Sequence, residues 1–82
     1  MYNGKIVKFS TRICGQCTAM ELSLKALNVE FENIFIDEAL ENLDISSIKR
    51  VPTLIKYDKD GHEIARIEGH TTLKEYKKFL GL

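Results

Sequence analysis

The chain is 82 residues long and 44% apolar, with 5 glycines, 1 proline, 2 cysteines and no tryptophan; its 12 basic residues balance its 12 acidic ones. That length fits a single domain over residues 1–82 and excludes most multi-domain enzymes, while the composition excludes a disordered or collagen-like chain. Zero formal charge removes the broad basic footprint of a nucleic-acid binder, and no run approaches the roughly 18 apolar residues of a membrane span. Two cysteines make at most one bridge, so no disulfide framework holds the fold together.

In chain order, Lys5 to Phe9 is a short β-rich run and the first expected strand. A loop from Ser10 to Ile13 leads to Cys14. From Cys17 onward Met20, Leu24 and Leu27 recur at helical spacing, with Ala19 and Ala26 beside them, and Asn28 suits the left-handed residue that closes such a helix. Phe31 to Ile36 is a second strand with large apolar residues on both faces, as expected where both faces are covered. Asp37 is placed to cap a second helix that buries Leu40, Leu43 and Ile48 and breaks near Asp44 to Ser47. Thr53 to Tyr57 and Glu63 to Ile67 are two further strands, joined by the turn Asp58-Lys59-Asp60-Gly61 into an antiparallel hairpin. Thr72, with Glu75 three residues on, forms a capping box for a last helix that turns Leu73, Tyr76 and Leu80 inward. The expected fold is α/β, in the order β-α-β-α-β-β-α: a four-stranded mixed sheet with helices on both faces, its first two strands parallel.

The chemistry gathers at Cys14-Gly15-Gln16-Cys17, which follows a strand and loop and opens a helix. Cys-x-x-Cys in that setting is a redox signature, because unpaired N–H groups and the positive dipole end of a helix stabilise a thiolate. A cysteine so placed falls from about 8.5 toward ~3.5–7.5 in pKa. Cys14, at the helix start, is the expected nucleophile, and Cys17, one turn in and more shielded, the expected resolving thiol. Arg12 is either a source of positive charge near the thiolate or a solvated loop residue. Two other readings of the pair stay open. A closed zinc site usually takes four ligands, and here His62 and His70 lie far downstream, eight residues apart. Two inert core cysteines need no chemistry at all, although both then fall at a helix N-terminus by chance.

The lone proline, Pro52, enters the third strand, where its missing N–H costs least. With the cysteine pair and the element order, the segment Ile48-Lys49-Arg50-Val51-Pro52-Thr53 resembles the thioredoxin superfamily from Lys5 to Leu80. The resemblance implies a minimal thioredoxin fold with a cis-proline opposite the cysteines, and a residue before it, Val51, that pairs main chain to main chain with substrate. It also implies a protein-disulfide reductase that uses no cofactor beyond the Cys14–Cys17 disulfide. Ile13, Gly15, Gln16, Val51, Pro52 and Gly69 are the candidate substrate-binding residues.

Within the superfamily the features are mixed. Short length, an immediate start at the first strand and Val51-Pro52-Thr53 resemble glutaredoxins. Those proteins carry a proline and an aromatic residue between the cysteines and a Gly-Gly and Asp that hold glutathione; this chain has Gly15-Gln16 and Gly69-His70-Thr71-Thr72. Pro52-Thr53-Leu54-Ile55, the Asp60-Gly61 turn and Gly69 resemble thioredoxins. Ile13 replaces their tryptophan, and Lys8, six residues before Cys14, stands where they carry a buried acid. The chain is also similar to the glutaredoxin-like electron donors of ribonucleotide reductase, which draw on thioredoxin reductase. The partners implied are disulfide-containing proteins and a thioredoxin reductase-like reductase, with glutathione as the alternative, and neither nucleic acid nor membrane. A cytoplasmic monomer is expected, since Met1 to Lys5 lacks the pattern of a signal peptide. His70, beside Gly69, is either a partner contact or a surface residue; His62 is assigned no role.

Overall fold

The computed structural model describes residues 4–38 and 47–82. Its elements run β1 (Lys5–Ser10), α1 (Gly15–Ala26), β2 (Glu32–Phe35), a 3-10 turn (Ile36–Glu38), β3 (Thr53–Tyr57), β4 (Glu63–Glu68) and α2 (Leu73–Leu80). The four strands form one mixed sheet in the order β2-β1-β3-β4. β2 runs parallel to β1, which pairs antiparallel with β3, and β3 antiparallel with β4. Among the described residues no helix is long and apolar enough to cross a membrane.

Two helices share one face of the sheet. Met20 and Leu24 of α1, Leu54 of β3 and Tyr76 of α2 form a fully buried cluster, with Ile6, Ile67 and Phe79 packed against it. Burial of a leucine or methionine here stabilises by roughly 1.5–3 kcal/mol. Val7, Phe9 and Ile55 form a second cluster on the other face, joined by Ile34, Ile36, Ile48 and Tyr57. The helix expected to cover this face, with Leu40 and Leu43, lies outside the described residues.

Capping explains the helix boundaries. Asn28 has φ 57°, and the N–H groups of Asn28 and Val29 donate to Lys25 and Leu24 carbonyls, a Schellman closure of α1. The Thr72 hydroxyl accepts from the Glu75 N–H and starts α2. In the β3–β4 hairpin the Asp58 carboxylate accepts from the N–H groups of Asp60 and His62, while Gly61 takes φ 87°. These two backbone donors pull the Asp58 carboxyl below its ordinary range.

One packing expectation, for Leu73, is corrected. β2 is an edge strand whose segment packs Phe31 into the helix-side cluster and Ile34 into the opposite one, and Phe35 is partly exposed under the Arg12 guanidinium, 5.5 Å from its ring. Alternating apolar residues cannot distinguish an edge strand from an interior one, because pairing partners are set elsewhere in the chain. Leu73 is 46% exposed rather than inward. The inward stripe of α2 is Tyr76, Phe79 and Leu80, at i, i+3 and i+4, and Leu73 sits at the solvated start of the helix.

Candidate active site

Strand register gathers the candidate residues. The C-terminal end of β1, the N-terminal end of β3 and the C-terminal end of β4 are neighbours, because Phe9 pairs with Thr53 and Thr53 with Glu68. The loop carrying Ile13 and Cys14 leaves that edge, Val51 and Pro52 enter it, and Gly69 follows it. The Gly69 N–H donates to the Pro52 carbonyl at 2.7 Å, tying the last two together. Gly69 has φ 90°, a conformation suited to glycine, and the Arg50 guanidinium lies against it. The Val51–Pro52 peptide bond is cis, as the resemblance implies.

Cys14 and Cys17 are disulfide-bonded, with Cα atoms 5.2 Å apart. Cys14 is the N-cap of α1 in extended conformation (φ −159°, ψ 104°), and its sulfur accepts the Cys17 N–H at 3.1 Å. The first turn of the helix contains no acidic residue to oppose a negative charge there. Cys14 is half-buried, whereas Cys17 faces the core and is 3% exposed. After reduction, the same N–H is placed to donate to a Cys14 thiolate, a charge-assisted bond stronger than its neutral counterpart.

The rim around Cys14 is unevenly built. Ile13 is 97% exposed, Gly15 and Gln16 are exposed, Val51 is half-buried, and Pro52 and Gly69 are buried. Arg12 turns toward β2: its N–H meets the Asp37 carboxylate at 3.3 Å and its guanidinium covers Phe35. His70 is exposed, and its Nδ1 lies 2.8 Å from the Tyr76 hydroxyl, which also accepts the Thr71 N–H. Burial raises the Tyr76 phenol above its ordinary value. His62 belongs to the distant hairpin, 3.6 Å from the Asp58 carboxylate.

Two polar residues, Arg50 beside the site and Asn33 within the sheet, were not legible as such in the sequence. Arg50 borders Gly69, and its only signal is a position two residues before the proline. Asn33 joins a buried polar cluster: its Oδ1 accepts from Lys8 Nζ at 2.8 Å and from the Ser10 hydroxyl at 2.7 Å, and Lys8 Nζ also donates to Ser10 Oγ at 3.2 Å. Its signal is faint, a single amide among the apolar residues of β2.

No protein-family model and no curated protein matches this sequence. Solved structures do. A Malassezia sympodialis thioredoxin superposes with a TM-score of 0.78 at 17% identity, covering 96% of this chain and 74% of that one. A Schistosoma mansoni thioredoxin gives 0.79 at 19%, covering 98% and 78%, and oxidised mitochondrial thioredoxin 3 of Saccharomyces cerevisiae gives 0.75 at 24%, covering 100% and 81%. The chain has the thioredoxin fold. Within that fold, its Cys14–Cys17 disulfide stands at the head of α1, beside a cis-proline and a glycine on neighbouring strand ends.

Proposed function

We propose that the protein is a thiol–disulfide oxidoreductase that reduces disulfides in other proteins. The observation that carries this reading is the asymmetry of the pair: Cys14 caps α1 and is partly accessible, whereas Cys17 is buried one turn behind it. In the proposed cycle the Cys14 thiolate attacks a partner disulfide, forming a mixed disulfide and releasing one partner thiolate, which takes a proton from solvent. The Cys17 thiolate then attacks Cys14; the Cys14–Cys17 bond forms, and the second partner sulfur leaves reduced. The partner is oxidant in the first half, and an external reductase restores the dithiol.

Ile13, Gly15, Gln16, Val51, Pro52 and Gly69 are assigned to partner contact. An almost fully exposed Ile13 beside the nucleophile supports a protein surface over a small polar tripeptide as the ligand. Gly69-His70-Thr71-Thr72 supports the same preference, since it lacks the second glycine and acid associated with glutathione. We assign the protein to the cytoplasm as a monomer, reduced by a thioredoxin reductase-like enzyme, with ribonucleotide reductase as a candidate electron acceptor.

Insulin reduction tests the reading, run once with NADPH and thioredoxin reductase and once with NADPH, glutathione and glutathione reductase. Turnover in the first arm, abolished by Cys14→Ser, is expected. Turnover only with glutathione would replace it by a glutaredoxin reading. Activity that survives Cys14→Ser would remove the proposed nucleophile, and zinc lost with the fold on chelation would remove the redox reading.

A further inference from the structure

One buried charge has no part in the cycle above. Lys8 is 3% exposed on the sheet face that α1 covers, since it pairs with Leu54 of the helix-side cluster. Among the described residues its ammonium donates to neutral oxygens alone, those of Ser10 and Asn33. Among the described residues the charges that act on it stand on α1: Glu21 attracts and Lys25 repels. Cys17 stands one helical turn before Glu21 on the same ridge of α1, about 5–6 Å away along the helix axis, and is itself buried.

A desolvated cation bound by neutral acceptors favours any anion that forms close by, because water screens neither charge. In the disulfide state Cys17 carries no charge. Reduction creates a thiol that must ionise before it can attack Cys14, and the ionised sulfur stands one helical turn from Glu21, whose charge reaches Lys8.

We propose that Lys8, oriented by Ser10 and Asn33, is the electrostatic partner of the Cys17 thiolate, so that reduction of the disulfide and retention of the Lys8 proton are coupled. Lys8 does not exchange its proton with Cys17; the thiol proton goes to solvent, and the ammonium stabilises the sulfur anion left behind. Burial holds the Lys8 ammonium below its ordinary range in the disulfide state, which is the side from which a new anion pulls it up. The inference rests on the redox reading, but its tests need no protein substrate.

The decisive measurement is a pH titration of the Lys8 ε-CH₂ NMR signals in oxidised and reduced wild-type protein. A midpoint at least one pH unit higher in the reduced form is expected, since an opposite charge within about 4–6 Å shifts a midpoint by ~1–3 units. Equal midpoints would overturn the proposal, whatever any variant does. The second measurement forms a mixed disulfide of Cys14 with 5-thio-2-nitrobenzoate and follows release of the coloured thiolate against pH. Lys8→Met is expected to move the profile up by about one unit and slow release about tenfold at neutral pH, with Lys8→Arg keeping most of the rate. A profile unmoved in folded Lys8→Met would reduce Lys8 to a packing residue. Failure of insulin reduction with both NMR and release results as expected would remove the substrate reading and leave this coupling intact.

Discussion

Along β1, Val7 and Phe9 point to one face of the sheet and Lys8 and Ser10 to the other, and all four are at most 5% exposed. Their burial has one cause, since β1 lies inside the sheet between β2 and β3. Their chemistry differs completely. Val7 and Phe9 join Ile55 in an apolar cluster that gains from leaving water. Lys8 and Ser10 lose water and recover it only in part through the Asn33 amide. The apolar face contributes stability; the polar face spends some of it on a fixed charge under the helix that carries the cysteines.

Substitutions at three positions probe this contrast, from the strongest effect down. Phe9→Ala empties a space in the apolar cluster and is expected to destabilise by about 3–5 kcal/mol in denaturant unfolding. A loss under 1 kcal/mol would mean that this cluster is not a packed core. Asn33→Ala removes the acceptor shared by Lys8 and Ser10 and leaves two buried donors short of a partner, at a cost of about 1–3 kcal/mol. Asn33→Asp, which supplies a charged acceptor to the same donors, should recover that loss, and failure to recover it would show that the amide contributes by packing alone. Lys8→Met is expected to be neutral or to stabilise by roughly 1 kcal/mol at neutral pH, as a buried charge gives way to an apolar side chain of similar length. A clear destabilisation would show that the ammonium's hydrogen bonds outweigh its desolvation.

That last difference should depend on pH with a definite sign. Burial, opposed by Glu21, lowers the folded Lys8 value, while the unfolded chain keeps the ordinary 10.5. Between the two values the unfolded state binds the extra proton, so stability rises with pH there. The penalty is therefore full below the folded value and relieved as pH climbs toward 10.5. Tyr57 and Tyr76 act oppositely, since burial raises both above 10.0 and stability falls once unfolded phenols ionise. Unfolding midpoints of wild type and Lys8→Met should thus converge as pH rises through the folded Lys8 value toward 10.5. Parallel curves would mean that Lys8 titrates as it does in water.

Much of the fold could be read from short-range rules. Asn28 after an apolar helical stripe, Thr72 three residues before Glu75, and Asp58 to Gly61 between two β-rich runs each act within about four residues, and each boundary stands close to its expected place. Cys14 and Cys17 were legible for the same reason: a helix N-terminus after a strand is a local feature. Leu73 was misjudged because inward positions depend on neighbours that arrive from far along the chain.

By itself, then, the sequence determined the order of the four strands and of the first and last helices, the ends of those helices, the hairpin turn and the location of the reactive pair at a helix head, since all of these follow from contacts between near neighbours in the chain. Tertiary structure alone decided that β2 is an edge, that Gly69 bonds to Pro52, that Arg50 borders the site, and that Lys8 meets Asn33 across 25 residues of chain. The physical reason is register. Pairing between β1 and its neighbours, set by the sum of many side-chain contacts, fixes which side chains share a face, and no single residue carries that information.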